Sequence, residues 1–161
     1  MSDRIVPNDS DDGPLLREIG LQRFAPYLMN RVMGRYNASL REDLAKLGLT
    51  TPKMRTLAVL SVNDGLLIGR LAVYAVVELS TLSRAIDALE REDLVSRTPD
   101  AEDSRATRVS ITEAGRAAFE SLWPTMRRSY DRMFAGIDAA EHAAFVATLQ
   151  KMLNNIRKHD F

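Results

Sequence analysis

The stretch Glu78–Gly115 reads ELSTLSRAIDALEREDLVSRTPDAEDSRATRVSITEAG, and it decides the middle of the fold. Leu82, Ile86 and Leu89 recur at helical spacing, so a helix is predicted over Leu79–Asp93. Two short segments joined by a charged tip follow, and then a second helix begins. The predicted order is therefore helix, β-hairpin, helix.

The two segments after this helix have the pattern of a β-hairpin. Strands are predicted over Leu94–Thr98 and Ala106–Ile111, because Val109 and Ile111 alternate with polar residues as in a half-buried strand. The connection carries Pro99 and a cluster of charged residues, so it is expected to project into solvent. In such an arrangement the helix can lie in a groove of DNA while the hairpin contacts the DNA beside it.

Further helices are predicted before this region, over Pro14–Phe24, Pro26–Leu47, Thr51–Asn63 and Ile68–Val76. Proline fits the first turn of a helix, since its missing N–H would have no helical partner there. Gly48 follows the longest of these helices, in the position where a C-terminal glycine is common.

Two long helices are predicted after the hairpin. One starts at Thr112 and runs towards Phe134, and Asp138 caps the other. With the helix over Pro26–Leu47, they carry more apolar residues than one copy of this size needs to bury. We expect a mainly α fold with a small β-hairpin wing, which is a winged helix-turn-helix with flanking dimerisation helices.

The composition excludes several classes of function. The 161 residues include 22 basic and 22 acidic residues, so the net charge is zero and argues mildly against nucleic-acid binding. The absence of cysteine removes thiol chemistry, and only His142 and His159 could serve a histidine zinc site. No metal, no cofactor and no catalytic residue is predicted, and a small helical enzyme is the remotest class.

No segment is typical of a membrane or secreted protein. The longest apolar run, Leu71–Val77, is far shorter than the roughly 20 residues of a membrane span. Residues 1–13 are acidic and have no apolar core, so a disordered lead-in is predicted rather than a signal peptide. We expect a cytoplasmic protein without membrane contact.

Polar side chains occupy the side of the Leu79–Asp93 helix opposite its apolar stripe. They are Ser80, Thr81, Ser83, Arg84 and Asp87. Hydroxyl groups near a helix N-terminus can approach phosphates or base edges, and an arginine can reach a guanine. On an isolated helix, a solvated face is the commoner explanation. The hairpin that follows favours contact with nucleic acid.

The hairpin supplies a second set of candidates for DNA binding, Asp103, Arg105 and Arg108. An arginine at the tip of a wing can enter a minor groove, where narrow A·T-rich stretches concentrate negative potential. Asp103 can hold the guanidinium of Arg105 through a charge-assisted bond. An ordinary exposed turn with mixed charges explains the tip alone equally well.

These residues carry a family resemblance. STLSRAIDALE (Ser80–Glu90), Leu94-Val95 and the wing DAEDSRATRVSITEAG (Asp100–Gly115) are similar to MarR-type transcriptional regulators. LGLTTPKMRTLAVL (Leu47–Leu60) resembles the second helix of that family. The wing pattern is the specific part, since a helix-turn-helix alone would not identify the family.

The resemblance implies an obligate homodimer that binds palindromic operators in double-stranded DNA under the control of a small ligand. It implies that the Leu79–Asp93 helix reads the major groove, while Arg105 lies in the minor groove and is fixed by Asp103. The family usually has glycine where this chain has Asp93. That position tends to be left-handed, which aspartate tolerates better than most residues.

The resemblance also implies a division of the chain. Residues 14–161 are expected to form a single MarR-like domain, with the DNA-binding winged helix at 48–115. The dimerisation helices are expected at 14–47 and 116–161.

A ligand site is expected near the junction of the dimerisation and DNA-binding parts, where effectors of this family often lie. The aromatic, basic and methionine residues expected there are Tyr27, Arg31, Tyr36, Met54, Trp123 and Arg127. A pocket of aromatic and arginine side chains would suit a small aromatic or anionic effector. Packing within the core or the dimer is the commoner role of such residues, and it remains open.

The sequence thus predicts a sequence-specific, homodimeric transcriptional repressor that an effector releases from a palindromic operator. The alternative is a winged-helix protein-interaction module without DNA binding. Zero net charge and the acidic wing residues Asp100, Glu102 and Asp103 favour that alternative slightly.

Overall fold

Helices make up most of the chain in the computed structural model, which describes residues 13–157. The elements are α1 Leu16–Ile19, a 3-10 turn Leu21–Arg23, α2 Ala25–Lys46, α3 Thr51–Val62, β1 Leu66–Leu67, α4 Ile68–Ala75, α5 Leu79–Arg91, β2 Val95–Pro99, β3 Thr107–Ile111, α6 Glu113–Met133 and α7 Ala139–Ile156. Two compact units result, the first ending at Ala38 and the second beginning at Ser39. The predicted boundaries at residues 47 and 115 stay a prediction. Residues 1–12 of the predicted lead-in lie outside the described range, as does His159.

The first unit contains α1, the 3-10 turn and the first part of α2. The sequence predicted one helix over residues 14–24, and this was wrong in form. Gly20 adopts φ 76° and ψ 145°, which no helix contains, so the chain makes two short turns instead. The unit exposes a row of apolar side chains, Leu15, Leu16, Leu21, Phe24, Leu28, Val32 and Met33.

The core of the second unit lies between α3, α4 and α5. The apolar side of α5 is fully buried, as its spacing predicted, with Leu82, Ile86 and Leu89 all at 0% exposure. Lys53 is the charged residue that closes one edge of this core. Its Nζ forms an ion pair with Glu92 at the end of α5 and donates to the Gly48 carbonyl at 3.4 Å.

The predicted hairpin forms part of a three-stranded antiparallel sheet in the order β1-β3-β2. Val95 pairs with Ile111 at the base of the hairpin. β1 was not predicted from the sequence, because a two-residue strand is too short to show an alternating pattern. Asp64 holds this edge strand, since its Oδ1 accepts the backbone N–H groups of Gly65 and Ile111, each at 2.9 Å.

The last two helices begin where their caps predicted. Thr112 Oγ1 accepts the Gly115 N–H at 3.0 Å, and Asp138 Oδ1 accepts the Glu141 N–H at 2.8 Å. α7 has no buried residue within its described length, and Leu153 and Ile156 are 64% and 74% exposed. Within residues 13–157, no helix has the length and apolar character needed to cross a membrane.

Two residues other than glycine have positive φ. Asp93 has φ 58°, which confirms the left-handed turn expected after α5. Val76 has φ 53° and ends α4 at the helix-turn-helix corner, which no sequence pattern predicted. A β-branched residue in the left-handed region is strained, because its Cβ crowds the following carbonyl oxygen.

We expect Val76→Gly to raise the free energy of unfolding by about 1 kcal/mol, because glycine adopts this conformation without strain. Little packing is lost, since Val76 is 76% exposed. Urea unfolding followed by circular dichroism measures the change. Val73→Gly, inside α4, is the matched control and should lower stability by about 1 kcal/mol. Equal losses in both variants would contradict the strain at Val76.

Candidate nucleic-acid interface

The outward side of α5 presents the polar residues that the sequence singled out. Ser80, Thr81, Arg84 and Asp87 are exposed, while Ser83 is half-buried. The hydroxyl of Ser83 donates to the Leu79 carbonyl at 2.9 Å, so it is already bonded within its own helix. Arg84 forms no hydrogen bond or ion pair with any residue in the described part of the chain. Its guanidinium therefore remains available for an external acceptor.

Arg97 on β2 forms ion pairs that join the wing to α5. Its role was not predicted from the sequence. Its Nε donates to Glu90 Oε2 at 2.9 Å, and its Nη2 lies 2.9 Å from Asp87 Oδ1. The hydrogen bond from Arg97 holds the pKa of the Glu90 carboxyl below its usual value. Two carboxylates one helical turn apart, followed by an arginine on the next strand, were the signal available in the sequence.

We expect Arg97→Gln to weaken DNA binding several-fold, because it leaves the charges of Asp87 and Glu90 uncompensated beside the DNA phosphates. The loss of folding stability should be small, since solvent screens this exposed ion pair. Fluorescence anisotropy with labelled duplex DNA measures the affinity. Combining it with Asp87→Asn should restore part of the binding. If Asp87→Asn does not restore any DNA affinity, the electrostatic role of Arg97 is contradicted.

Two aspartates build the tip of the wing. Asp100 Oδ1 accepts the backbone N–H groups of Glu102 and Asp103, each at 3.0 Å. These bonds hold the pKa of the Asp100 carboxyl below its usual value, and a bond from Arg108 lowers it further. The Asp100 carboxylate therefore shapes the turn of the wing.

Asp103 acts differently from the prediction. Its Oδ1 accepts the backbone N–H of Arg105 at 3.0 Å, and no ion pair joins its carboxylate to the Arg105 guanidinium. A short aspartate side chain reaches the N–H two residues further on more readily than the end of a long, exposed arginine. Asp103 thus fixes where the Arg105 side chain starts. The guanidinium of Arg105 has no bonded partner within residues 13–157.

Arg108 lies on β3 close to the tip of the wing, opposite Thr98, and its side chain is already bonded within the protein. Its Nη1 donates to the Gly65 carbonyl at 2.7 Å, and its Nε forms an ion pair with Asp100. These bonds join β1, β3 and the wing turn. A DNA contact of Arg108 stays a prediction, but its bonds here place it in the scaffold that carries Arg105.

The end of α5, the hairpin and the start of α6 meet at a close backbone contact. The Thr112 hydroxyl donates to the Asp93 carbonyl at 2.6 Å, and the Thr112 N–H donates to Leu94 O at 3.1 Å. A Cβ added to Gly115 would lie 1.9 Å from the same Leu94 oxygen. Glycine at position 115 is therefore required for α6 to pass over the root of the wing.

The candidate ligand residues fall in both units. In the first unit, Arg31 Nη1 donates to the Tyr27 hydroxyl at 3.3 Å, while Tyr36 is half-buried. In the second unit, Met54 is in the core at 4% exposure.

The other two candidates lie one turn apart on α6. Trp123 is 50% exposed, with its ring centroid 6.3 Å from that of Phe119. Arg127 forms an ion pair with Asp131 at 2.9 Å. Among the described residues, no group of three or more side chains has the composition of a metal site.

Comparison with known proteins identifies the fold that carries this surface. A MarR family model matches residues 47–106, which run from α3 to the tip of the wing. A crystal structure of a MarR family transcriptional regulator from Silicibacter pomeroyi is 58% identical, with a TM-score of 0.87, over 92% of this chain and 100% of that chain. The chain belongs to the MarR family.

Curated relatives of this MarR-family chain are transcriptional regulators. The HTH-type transcriptional repressor IacR of Pseudomonas putida is 29% identical, over 91% of this chain and 88% of its own length. The transcriptional activatory protein BadR of Rhodopseudomonas palustris is 32% identical, over 70% of this chain and 67% of its own length. The protein is thus a DNA-binding transcriptional regulator. The relatives disfavour a protein-interaction module that has lost DNA binding.

Proposed function

We propose that this protein is a homodimeric repressor that binds a palindromic operator through α5 and the wing and leaves it when a small effector binds. It acts in the cytoplasm without a cofactor or a catalytic step. The proposal rests on one observation, namely that some arginine side chains of α5 and the wing are bonded within the protein and others are not. Arg91, Arg97 and Arg108 are bonded within the protein, whereas Arg84 and Arg105 have no partner within residues 13–157.

This sorting supports two kinds of DNA contact. Arg84 extends from the exposed side of α5 and can donate two hydrogen bonds to a guanine edge in the major groove. Arg105 extends from a turn that Asp100 and Asp103 hold in place, so little backbone freedom is lost when its side chain enters a minor groove. Ser80 and Thr81, which are exposed near the α5 N-terminus, can donate to phosphates.

Exposed apolar surface supports the homodimer. α7 exposes Phe145, Val146, Leu153 and Ile156, and the first unit exposes its own row of apolar side chains. Within each unit, this many exposed large apolar side chains is unusual for a monomer. A homodimer that binds a palindrome in successive major grooves needs its two α5 helices about one DNA turn apart, roughly 34 Å.

Two aromatic–arginine pairs support an anionic aromatic effector. Tyr27 and Arg31 are one turn apart on α2, with the Arg31 Cζ 5.9 Å from the Tyr27 ring centroid. Trp123 and Arg127 have the same spacing on α6. The relative IacR, which is a repressor and matches 91% of this chain, supports repression rather than activation.

Sedimentation and DNA binding test the proposal together. The purified chain should sediment as a dimer. It should bind a duplex from beside its own gene more tightly than a scrambled duplex of equal composition. Hydroxyl-radical footprinting should then give two protected patches about one helical turn apart. A monomer, or equal binding to both duplexes, would refute the proposal.

We expect Arg84→Ala to lower the preference for operator over scrambled DNA, because a two-bond contact to guanine contributes about 1–3 kcal/mol of discrimination. Competition binding with both duplexes measures that ratio. Arg41→Ala, on α2, is a control arginine outside α5 and the wing. Equal losses on the two duplexes would instead make Arg84 a phosphate contact.

A further inference from the structure

Two cationic side chains of α3 bond to opposite ends of α5. Lys53 lies in the first turn of α3, and its Nζ forms an ion pair with Glu92, the C-cap residue of α5. Arg55 lies two residues further along α3, and its Nη1 donates to the Val76 carbonyl at 3.0 Å, in the corner that leads into α5. Residues two apart on a helix point about 200° apart around its axis, so one short stretch of α3 reaches both ends of α5.

We infer that Lys53 and Arg55 are positioning residues for DNA recognition. They fix the tilt of α5, and thereby its discrimination between base sequences, without contacting DNA themselves. The effect on DNA recognition rests on the proposed function, whereas the hold on α5 in the DNA-free protein does not.

The apolar side of α5 does not fix its tilt alone. Leu82, Ile86 and Leu89 are fully buried, but hydrophobic contact is non-directional and resists separation of the helix more than a small tilt. Hydrogen bonds and ion pairs at the helix ends depend steeply on distance and angle. α5 has 13 residues, so it is about 20 Å long, and a tilt of about 3° moves one end by about 1 Å.

The burial of Lys53 excludes a direct contact with DNA. Its side chain is 11% exposed, and its Nζ also donates to the Gly48 carbonyl, in the turn that follows α2. A buried ion pair adds little net stability compared with an apolar side chain of similar size. The pair of Lys53 and Glu92 therefore supplies geometry, because it sets the distance between the end of α5 and the turn after α2.

The corner before α5 shows what Arg55 does. Val76 has φ 53°, which a β-branched residue disfavours, and it precedes the N-cap residue Glu78 by two positions. The bond from Arg55 to the Val76 carbonyl stabilises this conformation. The direction in which the chain enters α5 therefore depends on Arg55.

A change in the tilt of α5 should affect base contacts and phosphate contacts differently. A bidentate contact to a guanine requires donor–acceptor distances of about 2.7–3.2 Å, so a shift of about 1 Å breaks it. Attraction between arginines and phosphates falls off slowly with distance. A positioning residue should therefore change sequence discrimination while leaving the salt dependence of DNA binding unchanged.

The test uses Lys53→Met and Arg55→Met in the full chain, with competition binding to operator and scrambled duplexes. Each change should lower the ratio of operator to scrambled affinity about ten-fold, with little change in scrambled binding. The slope of log K against log salt should stay at the wild-type value. The melting temperature of Lys53→Met should not fall, because methionine keeps the apolar stem and the half-exposed Glu92 keeps its water.

Two further variants serve as controls. Lys46→Met removes a lysine whose side chain is 71% exposed and pairs with Asp43, and it should leave the affinity ratio unchanged. Arg55→Lys keeps a donor for the Val76 carbonyl and should retain most of the discrimination. Equal losses on both duplexes in Lys53→Met and Arg55→Met would overturn the inference. A smaller salt slope in Arg55→Met would also overturn it, because that would mark a phosphate contact.

Hydrogen exchange on the DNA-free protein separates this inference from the proposed function. The Leu94 N–H donates to the Leu89 carbonyl at 2.8 Å, and its exchange should be about ten-fold faster in Lys53→Met. The Val77 N–H donates to the Ala72 carbonyl at 3.1 Å, and its exchange should be about ten-fold faster in Arg55→Met. If the wild type does not discriminate between duplexes, the proposed function fails. Unchanged exchange at both ends of α5 would overturn the inference whatever the DNA result.

Discussion

Gly115→Ala should lower the free energy of unfolding by about 3 kcal/mol, although alanine is the better helix former by about 1 kcal/mol. Gly115 lies in the first turn of α6, and the added Cβ would be 1.9 Å from Leu94 O and 2.9 Å from Leu94 C. These are backbone atoms, so no side chain can rotate away. The nearby Ile111 Cγ1, at 3.0 Å, removes the remaining space.

The same change should also displace the wing. Leu94 O accepts the Thr112 N–H at 3.1 Å, and the Thr112 hydroxyl bonds to the Asp93 carbonyl, so a shift at Leu94 disturbs the root of both strands. DNA affinity should fall even at a temperature where the variant remains folded. Urea unfolding and anisotropy measure the two effects.

Gly69→Ala is the matched control for this prediction. Gly69 is also in the first turn of a helix, and a Cβ there would meet no heavy atom within 4 Å. The change should be neutral or slightly stabilising, by about 0.5 kcal/mol. If Gly115→Ala behaves like Gly69→Ala, the close approach of α6 to Leu94 is not part of the folded protein.

Arg105→Ala should reduce operator affinity about 100-fold while leaving the fold and the proposed dimer intact. Each wing arginine should contribute about 1–2 kcal/mol as a charge-assisted contact, and a dimer carries two of them. Folding should be unaffected, because the Arg105 guanidinium has no partner in the described chain to lose. Anisotropy titrations, thermal melts and sedimentation measure affinity, stability and assembly.

Arg108→Ala is the informative comparison. It removes the bonds to Gly65 and Asp100, so it should lower stability, and it should weaken DNA binding through a loosened wing. Arg105→Ala and Arg108→Ala should thus separate contact from scaffold. Unchanged operator affinity in Arg105→Ala would contradict the proposal that the wing contacts DNA through Arg105.

Periodic and capping signals in the sequence predicted most of the fold correctly. The spacing of Leu82, Ile86 and Leu89 was sufficient for α5, because a helix face repeats within a few residues. Thr112 and Asp138 predicted helix starts, because their side chains bond to N–H groups only three residues away. Such local signals are independent of distant parts of the chain.

Features that depend on distant partners could not be predicted. Arg97 reaches Asp87 and Glu90 only because the hairpin folds back along α5, and β1 exists only as a partner of β3. Val76 occupies a left-handed corner that its residue type disfavours, so tertiary packing decides its conformation.

The charge of the wing shows how composition can mislead. Asp100, Glu102 and Asp103 appeared to argue against DNA binding, since acidic residues repel phosphates. Asp100 and Asp103 instead accept backbone N–H groups at the tip, and Asp100 also pairs with Arg108. Their charge is thus partly offset within the wing, and the exposed cation at the tip is Arg105.

A salt titration of operator binding tests the central claim most directly. For the wild-type protein, the logarithm of the binding constant should fall steeply and linearly with the logarithm of salt concentration. Arg105→Ala should reduce the magnitude of the slope of log K against log salt by about 2, because each of the two wings of a dimer loses one phosphate-neutralising charge. Binding that does not change with salt, or an equal slope in wild type and Arg105→Ala, would contradict the account.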